Sequence, residues 1–423
     1  MTIARPHCLR AALLLASFVL PPAVSAAGGS PAAAYSIEEL QLLAYEHNGL
    51  VRVVEQEVAA SRAGINTASA YPNPELDLLR GRLRPRSAGG LEGDETSVIL
   101  SQRLENPWMR SARIDGAQAL AASRQALLET TINDVASAVR VRAYAVLLRQ
   151  EEARAASDAA ALLEQTRARV KVRVDQGEAG RYDLIRAEAE ELNARQRRDA
   201  ALLEVERARI AVNYLLGGVL PARFDIKGSL SDAASLPGLA DLQQQAIAAN
   251  PEFIRLQAEA QQYKARLTQE RAAILPGVDV LVGRTRSVLD DETNFGLTVP
   301  IPLWDRRKGP IGEASANISR VRAQLDNRRK LIVQEMDTAV QALRIAQGQV
   351  DALEKAVLKD AEAAVRVAEA AYRFGERGIL DYLDAQRVLR LVRIELINAR
   401  FNLQAAAAEI DRLRAAYPRK AAK

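Results

Sequence analysis

The sequence predicts a mainly α-helical fold with a small β part, in which one unit of helix, strand pair and very long helical hairpin occurs twice. Three observations carry that prediction. Four landmarks recur in the same order about 200 residues apart, two long stretches are free of proline, and four short segments alternate between apolar and polar residues.

Asn48 and Asn250, 202 residues apart, each follow a short helical run, Leu40 to His47 and Leu242 to Ala249. Pro74 and Pro276, at the same spacing, each open an extended segment. Ser97 to Leu104 and Asn294 to Ile301 are further extended runs that lead into helices. A glycine-bearing break closes each copy, Gln176 to Leu184 and Phe374 to Tyr382, 198 residues apart. Order and spacing kept together point to duplication of one unit, since a stacked solenoid needs at least ~3 copies.

The N-terminus predicts a secretory signal over residues 1–26. Arg5 and Arg10 precede the apolar run Ala11 to Leu20, and Val24-Ser25-Ala26 is a small-residue cleavage site, so the mature chain is expected to begin near Ala27. Cys8 precedes the apolar run and cannot be a lipid-bearing first residue, so no lipidation is expected. His47 would then be the only histidine, and metal sites built from Cys and His are excluded by inventory. No set of nucleophile, base and orienter is present, which argues against an enzyme. The formal net charge of +5 falls to +3 without Arg5 and Arg10, and acidic and basic residues interleave as on solvated helix faces. No basic stripe is interleaved with aromatics, which argues against nucleic acid. No stretch reaches the ~18 apolar residues of a membrane-crossing helix, so any crossing must use strands.

The first unit is read as residues 27–220, with strands at about 75–84 and 97–104 and a hairpin at about 108–216. A linker over 221–238 leads to the second unit, 239–423, with strands at about 277–287 and 294–301 and a hairpin at about 304–416. Proline is absent from Trp108 to Leu220 and from Ile311 to Tyr417, where good helix formers dominate. From Ile318 the apolar positions Val321, Leu325, Ile332, Met336, Ala339, Leu343, Ala346, Val350, Leu353, Val357, Ala361, Ala364, Ala368 and Ala371 step mostly by three and four, with Arg328 in one slot. A helix from Ile311 to Phe374 would run on the order of 96 Å. The many alanines of this seam suit closely packed helix layers better than a two-stranded zipper, although a plain coiled-coil spacer is the alternative.

Phe295, Leu297, Val299 and Ile301 fall on one strand face, Gly296 and Thr298 on the other. Polar loops join each strand pair, Pro85 to Glu95 and Leu289 to Asn294. The four strands either cap a helical bundle in solution or contribute to a membrane barrel. Four cannot close alone, since about eight are needed; three chains would close at about twelve.

Tyr71-Pro72-Asn73-Pro74-Glu75-Leu76, Val299-Pro300-Ile301-Pro302-Leu303-Trp304-Asp305-Arg306-Arg307-Lys308-Gly309 and the run Tyr372 to Arg387 resemble motifs of TolC-like outer-membrane efflux factors, and within them the CzcC-like branch tied to heavy-metal export. The resemblance covers about residues 36 to 418. It implies a homotrimer with a twelve-stranded outer-membrane barrel continuous with a periplasmic helical barrel, docked on a periplasmic membrane-fusion adaptor and, through it, an inner-membrane RND pump. Outer-membrane lipid would surround the strands, and no cofactor or bound metal is implied.

By resemblance, Asp381 and Asp384, three apart on one helical face, line the periplasmic aperture, with Asp183 as the counterpart of Asp381 in the first unit. Arg377 and Tyr372 match positions that tether the closed aperture, and Asp183 is a candidate partner for them. Gly177, Gly180, Gly375 and Gly378 are expected to reverse the chain through positive φ. With Leu184, Ile185, Ile379 and Leu380 they would form the tips on which an adaptor docks. The exported substrate would be divalent metal cations, or alternatively organic drugs or metabolites. From another class, a soluble periplasmic coiled-coil adaptor or scaffold is the competing expectation.

Overall fold

The structure, a computed structural model, describes residues 33–84, 89–232, 238–288 and 290–417. The predicted signal segment with Cys8, residues 85–88 and 289 of the strand loops, and residues 233–237 of the predicted linker lie outside the described residues. In chain order the elements are β1 (Ala33–Ser36), α1 (Ile37–His47), α2 (Gly49–Ser69), β2 (Glu75–Leu83), β3 (Gly93–Glu105), α3 (Pro107–Asp175) and α4 (Arg181–Leu215). There follow β4 (Phe224–Lys227), α5 (Leu239–Ala249), α6 (Pro251–Ala272), β5 (Gly277–Arg286), β6 (Asp291–Thr298), α7 (Lys308–Ala352), a π turn (Leu353–Val357), α8 (Leu358–Arg373) and α9 (Ile379–Leu413). Residues 37–215 and 239–413 therefore carry the same order of elements.

The two asparagines that mark the breaks are helix caps. The Asn48 side chain accepts from the amides of Leu50 and Val51, and that of Asn250 accepts from Phe253. Asn106 caps α3 through the Trp108 amide, with Pro107 at the first helical position, where the missing N–H costs nothing. Its Nδ2 also donates to the carbonyls of Ala272 (3.1 Å) and Leu275 (2.8 Å), which ties the start of α3 to the end of α6.

The helix α3 has 69 residues, roughly 100 Å at 1.5 Å per residue. Its counterpart runs continuously through α7, the π turn and α8. The predicted seam is buried at Ile318, Val321, Ile332, Met336, Ala339, Ala346, Val350, Leu353 and Ala361. Around the π turn it departs from expectation: Val357 is 41% exposed, and Leu358 packs inward instead, a step of five from Leu353. Ala364 is exposed and Val365 buried. A π turn accommodates one extra residue and so advances the phase by about 100°. Arg328, the charged slot in the seam, is largely buried because it reaches Glu252 of α6 (2.8 Å) and Glu335 (3.0 Å).

One sheet orders its strands β2-β3-β5-β6, all antiparallel, and leaves an unpaired edge on β2 and on β6. Register puts Leu76, Leu100, Val282 and Phe295 in one row, Leu78, Val98, Arg284 and Thr293 in the next, and Arg80, Thr96, Arg286 and Asp291 beyond it. These rows share one exposed face. The opposite face is mixed: it carries Glu75, Asp77, Ser97, Ser101, Thr285 and Asn294 beside Leu79, Ile99 and Leu281, and the Ser97 and Thr285 hydroxyls pair at 3.1 Å. The fourth strand ends at Thr298, short of the expected Ile301, because Pro300 and Pro302 have no N–H to give the ladder.

Two short strands were not foreseen. β1 and β4 pair in parallel, Ala33 opposite Phe224, so part of the predicted linker is ordered. Phe224 is 1% exposed and sits with Leu40, Val139, Val146, Val212 and Leu216 in a core where α1, α2, α3 and α4 meet. A second core joins α5 to α7 and α9 through Leu242, Ile332, Met336 and Ile410, and a third fills the far end of the two hairpins. Among the described residues no helix is long and apolar enough to cross a membrane.

Candidate functional site

The far ends of the hairpins are built alike. Gly177 (φ 78°) and Gly375 (φ 76°) turn the chain in the left-handed region. Around them Glu178 N donates to Arg173 O (2.8 Å) and Gly177 N to Val174 O (3.0 Å), while Glu376 N donates to Ala371 O (2.9 Å) and Gly375 N to Tyr372 O (3.2 Å). These are glycine-terminated helix ends that satisfy the last carbonyls. Gly180 and Gly378 correct the expectation of positive φ: at −78° and −74° they are extended N-caps of α4 and α9. Serine at 180 or 378 is therefore expected to be neutral or slightly stabilising, since it fits that φ and is a better cap. Serine at 177 or 375 is expected to cost about 1–2 kcal/mol in the left-handed conformation. Unfolding midpoints of the four single variants check this.

The expected aperture residues Asp183 and Asp381 lie one turn past Gly180 and Gly378, and Asp384 nearly two. Asp381 accepts from Arg377, in the turn just before α9, at 3.4 Å, and Asp384 from Arg387 on the same helix at 2.8 Å. Asp183 sits in the first turn of α4, half-buried. Among the described residues no hydrogen bond or ion pair joins Asp183 to Arg377 or Tyr372. Within the protomer Arg377 reaches from the turn to the first turn of α9 rather than across to the other hairpin.

Contacts that cross between the hairpins near the tips were not foreseen; beside a long pair of Arg169 with Glu369 at 3.8 Å, one centres on Arg173. Arg173, in the last turn of α3, lays its guanidinium 4.9 Å from the ring centroid of Tyr372 and donates Nη1 to the Tyr372 carbonyl at 3.4 Å. It also faces Glu178 at 3.6 Å. The Tyr372 ring stacks on Tyr382 with centroids 6.2 Å apart and planes 8° from parallel, and Gln386 donates to the Tyr382 hydroxyl at 3.2 Å. The Tyr372 hydroxyl is buried and without a hydrogen-bond partner among the described residues. The one available signal was the repeat itself: Arg173 and Tyr372 are 199 residues apart, within one residue of the tip spacing.

Of the apolar residues expected at the tip surface, Ile185 and Leu380 are exposed, whereas Leu184 is half-buried and Ile379 is only 1% exposed within the tip core. Ile379 therefore holds α9 in place rather than presenting a surface. Phe374 and Tyr182 are exposed beside the same turns and supply the apolar area it does not. Further along, a groove of about 470 Å³ between α3, α4 and α9 is lined by Ala155, Ala159, Ala194, Arg197, Arg387 and Arg390. Burial, with Arg197 and Arg387 nearby, lowers the Arg390 guanidinium from its ordinary range. Charge thus changes sign along α9 within a few turns, from aspartate to arginine. Among the described residues no group of three or more His, Cys, Asp or Glu could hold a metal ion.

Compared with known proteins, residues 42–218 and 242–416 match the family described as outer membrane efflux protein. The chain is 26% identical over 383 residues to the cobalt-zinc-cadmium resistance protein CzcC of Cupriavidus metallidurans, covering 89% of each chain. It is also 26% identical over 331 residues to the nickel-cobalt-cadmium resistance protein NccC of Alcaligenes xylosoxydans xylosoxydans, covering 77% of this chain and 74% of that one. The fold superimposes on the crystal structure of CusC, described with transmembrane channel formation, at a TM-score of 0.79 and 17% identity, over 89% of this chain and 91% of that one.

Proposed function

The chain belongs to the outer membrane efflux protein family, and from that premise we propose that it is the passive exit duct of a tripartite system exporting divalent heavy-metal cations. The observation that carries the proposal is an open, four-stranded sheet with a bare apolar face at one end of ~100 Å hairpins. Such a face needs lipid, and a sheet in lipid must close. Three chains, each giving the edge of β2 to β6 of a neighbour, close a barrel of about twelve strands with the more polar face inward. The aromatic residues Tyr71, Trp108 and Trp304, the last 93% exposed, cluster in sequence at the strand ends nearest the helices, where a membrane interface favours such rings. Two like units, derived by duplication, give each protomer its two hairpins, and these form a helical tunnel through the periplasm of a Gram-negative cell. The family excludes the coiled-coil adaptor alternative.

The metal assignment rests on relatives named for resistance to cobalt, zinc, cadmium and nickel. No bound metal is needed, because a duct conducts what an inner-membrane RND pump delivers. The tips, with Gly177, Gly180, Leu184, Ile185, Gly375, Gly378 and Leu380, together with exposed Phe374 and Tyr182, would receive the periplasmic adaptor. In the closed state rings of Asp381 and Asp384 select cations, and Arg377 and Tyr372 restrain the aperture. Docking spreads the tips, and substrate then passes through water.

Asp381→Asn with Asp384→Asn is expected to lower the cation-over-anion permeability ratio several-fold, read from reversal potentials across a salt gradient in a planar bilayer. An unchanged ratio would remove both residues from the aperture. The decisive experiment for substrate is growth of a deletion strain, and of its complemented parent, on Zn, Co, Cd, Ni, Cu and Ag salts beside dyes and antibiotics. Sensitivity confined to divalent metals supports the proposal. Sensitivity to organic compounds alone would make the same architecture a drug or metabolite duct.

A further inference from the structure

The apolar face of the sheet is bounded differently at its two ends. At the helix end the strands lead into segments with exposed Trp108 and Trp304, whereas toward the strand loops the face carries arginines: Arg80, Arg82, Arg284 and Arg286. Between these ends a groove of about 740 Å³ is lined by Thr96, Val98, Leu100, Val282, Arg284, Arg286 and Thr293. The groove is amphipathic along its length, with aliphatic side chains at one end and guanidinium and hydroxyl groups at the other.

We propose that this groove binds the phosphate-bearing glycolipid of the outer leaflet, lipopolysaccharide, with acyl chain against Val98, Leu100 and Val282 and phosphate on Arg286 and Thr96. The inference rests on the outer-membrane assignment above and adds the lipid class. Arg284 is committed to Asp291 by two bonds of 2.8 and 2.7 Å, whereas Arg286 meets the same carboxylate only at 3.2 and 3.4 Å. Its remaining N–H donors stay available for a tetrahedral anion, which arginine binds through paired charge-assisted bonds. Arg80 and Arg82 are engaged by Asp94 and Glu92. Of the four arginines on this face, which meet Asp94, Glu92 and Asp291, Arg286 is thus the least committed. Register places the Thr96 hydroxyl between Arg80 and Arg286, so the donors converge on one row of the sheet. A zwitterionic phospholipid carries its own cation beside its phosphate and gains less from that row.

The test titrates the purified trimer in detergent with fluorescent lipid A bearing its phosphates, and with the same glycolipid dephosphorylated. The expected result is a preference of about tenfold for the phosphorylated form, lost in R284Q/R286Q and kept in R103Q, whose side chain is on the opposite face. A heat-resistant trimer band establishes that the double variant assembles. Should it not, R286Q alone, which spares the Arg284 pair with Asp291, must show the loss. A preference retained in these variants, or absent from the wild type, overturns the proposal. Flotation of the wild type with phosphatidylethanolamine vesicles separates the two levels: failure to float defeats the membrane assignment itself, whereas flotation without phosphate preference defeats only the lipid site.

Discussion

Arg173→Ala is expected to raise single-channel conductance several-fold, more than any other single change at the hairpin tips. Nearest the tips, Arg173 holds the first hairpin to the second by a cation–π contact to Tyr372 and a hydrogen bond to its carbonyl. A partly shielded cation–π contact contributes about 0.5–2 kcal/mol and a neutral acceptor bond about 1 kcal/mol, so each protomer loses roughly 2 kcal/mol of closure. A closed ring multiplies that loss over its protomers, and an equilibrium responds exponentially. Arg173→Lys keeps the charge but not the planar fork and is expected to fall between the two. Arg377→Ala should do less, because its exposed pair with Asp381 stays within the second hairpin and is worth at most about 1 kcal/mol. Conductance in planar bilayers, with a trimer of unchanged heat resistance, checks the series. Wild-type conductance in Arg173→Ala would show that the hairpins part elsewhere.

The largest stability loss is expected from Phe224→Ala, far from the tips. The ring is enclosed by the core beneath β4 and meets Tyr35 edge-on at 6.3 Å and 75°. Emptying such a site costs about 3–5 kcal/mol, because the surrounding helices cannot collapse fully into the space. Phe295→Ala, on the bare face of the sheet and 83% exposed, is the matched control. In detergent it should shift the unfolding midpoint little. A loss below about 1 kcal/mol at position 224 would mean that the β1 and β4 pair carries no share of the core.

Much of this architecture is legible in the sequence because its signals are long or repeated. The recurring asparagine breaks, the proline-free helices and the alternation along the strands each have a local physical cause that survives without tertiary information. What stayed hidden depends on partners distant in the chain. β1 and β4 are four residues each and pair across about 190 positions, too short for any period to appear. The π turn is invisible because Val357 and Leu358 are both apolar, and only packing decides which one faces the core. At the tips, glycine identity marked the turns but not which two of four glycines carry positive φ. Ile379 read as surface because a hairpin tip suggests exposure, although it fills the tip core. Arg173 was missed since its role exists only where two hairpins meet.

The unpaired edges of β2 and β6 have a genetic consequence. If each barrel closes only when every subunit supplies both edges, a subunit with one spoiled edge disables the two sound copies it joins. With spoiled and sound chains made in equal amounts and mixing freely, about one trimer in eight would be wholly sound. Such an allele would be dominant over the wild type, and a cell could lose most of its export capacity while half of its protein is faultless.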